Sequence, residues 1–179
     1  MAAPYSSPRS KLDRAIVAYL IAQGVGDNTN IFPANSSRDR ALPNLTIHAS
    51  GGSPEFPLSG TYRFNVRVIC KYPGAIQPTD ELTNYETNRL AADELFASAV
   101  DALMQGETGT STLAVTATAI TTAGRALADS DPANHADMAD FTCIQWLDTG
   151  FDGGVPEEES STWAEIATFQ AVVTSANTD

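Results

Sequence analysis

A strict two-residue alternation between Gly60 and Pro73 constrains the fold of this chain more than any other feature. One set of alternating side chains is apolar and comprises Tyr62, Phe64, Val66, Val68 and Cys70. The intervening set is mainly polar and comprises Arg63, Asn65, Arg67, Ile69 and Lys71. Because successive side chains of a strand point to opposite faces of a sheet, this pattern predicts a long strand with one buried face.

Two hairpins are predicted around strands of this kind. A shorter alternating run, Leu45–Ile47–Ala49, precedes the long strand across a loop rich in glycine and proline, which indicates a hairpin with an extended connection. Near the C-terminus, 141–147 and 163–173 are apolar runs of strand length. Glycines and the acidic cluster Glu157–Glu159 separate them, so a second hairpin with a long acidic connection is expected.

Two helices are predicted with buried stripes. Ser7 and Pro8 form an N-cap and a first helical residue, and Leu12, Ile16 and Leu20 follow at helical spacing. The charged residues of this first helix are expected to face solvent: Arg9, Lys11, Asp13 and Arg14. A second helix is predicted to begin after Thr79 or Asp80 and to end near Gly106.

The segment 107–140 leaves two interpretations open. Residues 112–122 alternate like a strand, but their alanine content also permits a helix. Residues 129–140, which include Pro132, are expected to form an irregular exposed loop. A short strand is predicted near Ile31, within the loop that joins the first helix to the first hairpin.

These elements predict a single α+β domain over residues 1–179. Its core is a mixed, mostly antiparallel sheet of about four to five strands with helices packed on one face. Residues 1–7 and 174–179 are expected to be terminal tails, and 107–140 an insertion.

Charge and composition exclude several classes of protein. The net charge of −12 and pI near 4.3 argue against non-specific binding of nucleic acid, which requires clustered cations. The first ten residues lack the pattern of a secretory signal, and no apolar run approaches the length of a membrane span. We therefore expect synthesis in the cytoplasm and no membrane partner. Cys70 and Cys143 are expected to be buried free thiols.

No spacing in the sequence predicts catalytic or cofactor chemistry. His48 and His135 are too few for most zinc sites. Four aspartates surround His135 and are considered as cation ligands: Asp129, Asp131, Asp137 and Asp140. Ala133 stands where a calcium loop needs Asp or Asn, so this group is expected to be a solvated acidic loop. The prediction is a non-enzyme without catalytic residues, metal or cofactor.

Four residues are candidates for a subunit or partner interface. Tyr72 and Trp163 are large aromatic residues near strand ends, where such residues often anchor interfaces, although core packing is an equal alternative. Arg38 and Arg40 are cations in a long acidic stretch and are candidates for pairing with carboxylates of a neighbouring subunit. Solvated side chains are the alternative for both arginines.

Taken in order, these elements resemble the tail terminator proteins of long-tailed bacteriophages, together with the related tail-completion and neck proteins. The resemblance covers about 8–173. It rests on the opening helix, the segment Arg40–Ile47, the hairpin ending in Thr61–Lys71, the helix after Asp80 and a closing strand introduced by Ser161–Trp163.

The resemblance implies a structural virion protein, a homo-hexameric ring on the head-proximal end of the tail tube. Such a ring stops tube polymerisation and joins the tail to the neck. Its partners would be further copies of itself, the tail tube protein and the head–tail connector or neck protein, while DNA passes through without specific binding. Acidic residues expected to face the DNA channel are Asp129, Asp131, Glu157, Glu158 and Glu159.

Three alternatives remain open from the sequence. The first is another connector position in the same particle, such as a neck or head-completion protein. The second, from a different class, is a small-molecule-binding or enzymatic α+β domain with its site in 107–140. The third is an adaptor or inhibitor that mimics DNA through its negative charge.

Overall fold

A five-stranded mixed sheet with helices on one face forms the part of the chain that the computed structural model describes. The described residues are 7–34, 41–54, 60–73, 82–104, 114–156 and 162–174. The helices are α1 (Pro8–Ala22), α2 (Leu82–Leu103), α3 (Ala114–Ser130) and the short α4 (Pro132–His135), which a 3-10 turn (Ala136–Met138) follows. The strands are β1 (Ile31–Pro33), β2 (Asn44–Pro54), β3 (Thr61–Pro73), β4 (Thr142–Pro156) and β5 (Thr162–Thr174).

The sheet order is β1-β2-β3-β5-β4, with β1 parallel to β2 and the other neighbours antiparallel. The α+β class and the mostly antiparallel sheet predicted from the sequence are confirmed. Both predicted hairpins are also present, β2 with β3 and β4 with β5. The short strand near Ile31 is β1, and it is one of the two edge strands of the sheet.

Strand β4 is longer than the sequence indicated. It continues through Gly150, Gly153 and Gly154 to Pro156, residues that we assigned to the connection. Two of the three register shifts between β4 and β5 lie in this extension. Since bulges accept an extra residue and glycine fits the bent backbone, turn-type residues are compatible with a strand here.

Helix α1 has the predicted cap and stripe but a wider buried surface than predicted. The Ser7 hydroxyl accepts a hydrogen bond from the Ser10 amide at 3.2 Å, and Pro8 is the first helical residue. The expectation that Lys11 and Asp13 face solvent is wrong, since they are only 6% and 1% exposed. The reason is that α1 packs against both β2 and α3, so residues beside the apolar stripe are also covered.

From Ala114 onward the ambiguous segment is a helix, residues 107–113 lie outside the described residues, and the predicted irregular loop is partly helical. In α3 the buried positions Ala117, Ile120 and Ala128 recur at helical spacing, and the high helix propensity of alanine supports this choice. The prediction of an irregular loop over 129–140 is wrong. Pro132, which suggested a break, begins α4, because proline is well suited to the first helical position.

The C-terminal end of α2 is capped by side chains from other elements. The Tyr19 hydroxyl of α1 donates to the Ala102 carbonyl at 2.7 Å, and Trp146 Nε1 of β4 donates to the Leu103 carbonyl at 3.1 Å. These carbonyls belong to the last turn, which has no intrahelical donors of its own. The two bonds fix the end of α2 against the core.

Both cysteines are buried and neither forms a disulfide, as predicted. Burial raises the pKa of the Cys70 thiol and of the Cys143 thiol to about 12. The Cys70 Sγ also lies 3.5 Å from the Ala92 carbonyl, which it approaches as a donor. Both thiols therefore act as small core side chains.

Candidate interaction surface

Opposite the helices, the sheet face is exposed along much of β3 and carries a stripe of cations, whereas Val172 and Ala164 beside the two ends of that stripe are buried. On β3 the apolar set Phe64, Val66, Val68 and Cys70 is buried against the helices. The alternating set points the other way: Arg63, Asn65 and Arg67 are exposed, and Ile69 and Lys71 are half-buried. We call Arg63, Arg67 and Lys71 the basic stripe.

The basic stripe is a local concentration of positive charge on an acidic molecule. Its members recur at every fourth residue of one strand, which spaces them by about 13 Å. The whole chain has 10 Lys and Arg residues against 22 Asp and Glu, so three cations on one strand face are a large share. The stripe therefore suits carboxylates on a partner, which exposed guanidinium groups bind well.

Polar and apolar neighbours complete this surface. Arg63 Nη1 donates to Gln170 Oε1 at 3.1 Å, so a neutral side chain helps to orient that guanidinium. His48 lies opposite Arg67 in the β2–β3 register. Ile69 lies opposite Ile166 in the β3–β5 register, and both are half-buried on the open face. The surface thus combines cations with a small apolar centre.

A second polar feature lies inside the molecule, where α1 contacts β2. The carboxylate of Asp13 is buried, and its Oδ1 accepts a hydrogen bond from the Ala49 amide at 2.8 Å. Its Oδ2 has no hydrogen-bond partner within the described ranges. Burial raises the pKa of Asp13 from 3.8 to about 7, although the Ala49 amide and the charge of Arg9 act in the opposite direction.

Two ion pairs join α1 to the segment around His135. Lys11 Nζ lies 3.1 Å from Asp140 Oδ1. Arg14 forms a two-bond pair with Asp137, and its Nη1 lies 3.0 Å from His135 Nδ1. The expectation of a solvated acidic loop is therefore wrong for Asp137 and Asp140, because cations of α1 that we predicted to face solvent pair with them.

The other residues of that acidic group are not gathered around a cation site. Asp129 is exposed, and Asp131 is half-buried with its Oδ2 accepting from Asn134 Nδ2 at 2.8 Å. Among the residues that the structure describes, no group of three His, Cys, Asp or Glu side chains is placed to hold a metal ion.

The described structure makes two of the predicted interface residues, Tyr72 and Trp163, cross-strand neighbours. Tyr72 is 5% exposed and belongs to the core of the chain. Trp163 lies in β5, opposite Tyr72 in the register. Arg38, Arg40 and Glu157–Glu159 lie outside the described residues. The roles assigned to these residues stay predictions.

Sequence reasoning missed both the basic stripe and Asp13, although each left a signal. The stripe is the polar half of the alternation in β3, which we used only to predict a strand with one buried face. Asp13 lies beside Leu12 and three residues before Ile16, so it borders the buried stripe of α1.

Comparison with known proteins assigns no family to the chain. No family model matches the sequence, and no curated protein matches it significantly. None of the helices in the described part of the chain combines the length and apolar character that crossing a bilayer needs. The resemblance to tail terminators stays a prediction from pattern and element order.

The raised pKa of Asp13 predicts an unusual dependence of the free energy of unfolding on pH. Between pH 3.8 and about 7 the folded chain binds this proton and the unfolded chain does not, so the free energy of unfolding falls as pH rises through that window. From pH 5 to pH 8 the expected loss is about 3 kcal/mol. Urea denaturation of Asp13→Asn should lack this part of the slope, because the amide does not ionise.

Asp129→Asn is the matched control, since Asp129 is exposed on α3. Its pH slope should equal that of the wild-type chain. If Asp13→Asn retained the full wild-type slope, the assignment of the slope to Asp13 would be wrong.

Proposed function

We propose that this chain is a structural subunit of a phage tail, a tail terminator that forms a ring on the head-proximal end of the tail tube. The observation that carries the proposal is the open sheet face, a rigid surface with cations around an apolar centre. Strands β3, β4 and β5, of 13, 15 and 13 residues, form most of this face, and the helices pack on their other side.

A surface of this composition favours contact with protein. Interfaces between subunits combine an apolar centre with a polar rim, and arginine is enriched in them. Ile69 and Ile166 supply the apolar centre, and Arg67 stands next to them on the same face. The wider acidity of the chain disfavours DNA as the partner of this surface.

The negative charge has its own part in the proposal. Asp129 and Asp131 lie at the C-terminal end of α3, and in the assembled ring they would face the channel through which DNA passes. Like charges on the wall and on the phosphates disfavour adhesion, so DNA slides past without being retained. No chemical transformation is part of this function.

The experiment is deletion of the gene from the genome that encodes it, followed by electron microscopy of the particles. We expect tails longer and more variable than those of the parent, and normal length when the intact chain is supplied in trans. Filled heads without attached tails would assign the chain to the neck instead. Particles indistinguishable from the parent would contradict both roles.

A further inference from the structure

We infer that the basic stripe docks on the outward side of α2 in a second copy of this chain. The inference rests on the proposed function, because it names the contact through which copies would join into a ring.

The outward side of α2 carries carboxylates and apolar side chains in one line. Its buried side consists of Ala92, Leu95, Phe96, Ala99, Ala102 and Leu103. Opposite these, Glu86, Glu94 and Asp101 are exposed. We call these three residues the acidic stripe. Leu90 lies between its first two members and is 62% exposed, which is unusual for a leucine on a surface helix.

The two stripes match in order and spacing when they run in opposite directions. A helix rises 1.5 Å per residue, so Leu90, Glu94 and Asp101 lie about 6, 12 and 22 Å beyond Glu86. A strand rises about 3.3 Å per residue, so Ile69, Arg67 and Arg63 lie about 7, 13 and 26 Å from Lys71.

This alignment pairs unlike charges and places apolar groups together. Glu86 would meet Lys71, Leu90 would meet Ile69, and Glu94 would meet Arg67. In the remaining pair, Asp101 lies about 22 Å along its stripe and Arg63 about 26 Å along the other. A long arginine side chain can span this difference of about 4 Å. Such complementarity selects a partner and its register more than it adds affinity.

The placement of the two stripes determines the type of assembly. The basic stripe lies on the open face of the sheet, and the acidic stripe lies on the outer side of a helix packed on the other face. The two surfaces are different and point away from each other. A contact between them is therefore heterologous, and it produces a closed ring when the rotation between copies closes.

Charge reversal provides a test with an internal rescue. In Arg67→Glu the open face would repel the acidic stripe of the next copy, and in Glu94→Arg the α2 surface would repel the basic stripe. Each single variant should self-associate about 100-fold more weakly than the wild-type chain. The double variant carries complementary reversed charges and should assemble again, as should an equal mixture of the two single variants.

The measurement is sedimentation velocity with light scattering, in low salt and again in high salt, which screens exposed charges. The wild-type chain is expected to form a ring in low salt and to dissociate as salt rises. Asp129→Arg is the matched control, since it makes the same change of charge on α3 and should assemble like the wild type. Circular dichroism of each variant checks that it is folded.

The possible results separate this contact from the proposed function. A wild-type ring that both single variants still form would overturn the contact and leave the ring-forming role in place. A wild-type chain that stays monomeric in low salt, or that binds a short DNA duplex through Arg67 instead, would overturn the contact as well. The gene deletion reports on the tail role independently of either result.

Discussion

Trp146→Ala is expected to lower the free energy of unfolding by about 3–5 kcal/mol, which is the range for removing a large buried aromatic side chain. Trp146 is 0% exposed, and its ring stacks on Phe169 with 5.0 Å between ring centroids. Its Nε1 also caps the Leu103 carbonyl. The substitution would leave a cavity and a buried carbonyl without its donor, so two costs add.

Chemical denaturation followed by circular dichroism measures this loss. Trp146→Phe separates the two costs, because it keeps an aromatic ring beside Phe169 and removes the bond to Leu103. Ile144→Ala on the same strand is the control, since Ile144 is 50% exposed and should cost far less. A loss below 1 kcal/mol for Trp146→Ala would show that β4 is not fixed to α2 in this way.

The second large effect is expected for Gly124→Val, at about 3 kcal/mol. At Gly124 α3 packs closely on its surroundings, and a Cβ there would lie 2.9 Å from both the Ala15 Cβ and the Phe141 Cδ1. Neither atom is the flexible end of a long side chain. The valine would therefore force α1 and α3 apart, and the better helix propensity of valine over glycine would not offset that strain.

Ala126→Val is the matched control for this prediction. Ala126 is exposed on the same helix, so this substitution carries only the cost of a β-branched residue in a helix, about 0.5 kcal/mol. Thermal unfolding of the two variants side by side gives the comparison. If both variants lost the same stability, close packing at Gly124 would not be the cause.

The elements with clear periodicity were predictable from the sequence. The alternation in β3 fixed which side chains are buried, and the capped stripe of α1 gave that helix its start and its core residues. These signals are local, and each depends on one buried face. The two predicted hairpins account for two of the antiparallel pairings, whereas β3 and β5 pair across a long separation in sequence that no local pattern indicates.

The elements that differed from prediction depend on contacts between distant parts of the chain. Lys11 and Asp13 are buried because α3 and β2 cover a second side of α1, which the spacing within α1 does not reveal. For residues 114–130, alternation and alanine content favoured different structures, and packing on α1 through Gly124 decides in favour of the helix. The glycines of β4 belong to a strand because β5 pairs with it.

The candidate surface was predictable only in part, for a similar reason. Alternation in β3 shows that Arg63, Arg67 and Lys71 share a face. Whether another layer covers that face depends on where the helices pack, and the sequence gives no local signal for this. Tyr72 was proposed for an interface but is buried in the core. An aromatic residue near a strand end suits either environment, so the sequence alone does not decide between them.

The two edge strands of the sheet affect the tendency of concentrated copies to aggregate. One edge strand is β1, which is only three residues long. The other is β4, whose hydrogen-bond ladder with β5 is interrupted three times. A long, regular edge strand would act as a template to which strands of further chains add, and fibrils would then grow. The shortness of β1 and the interruptions of β4 therefore disfavour edge-to-edge growth between copies.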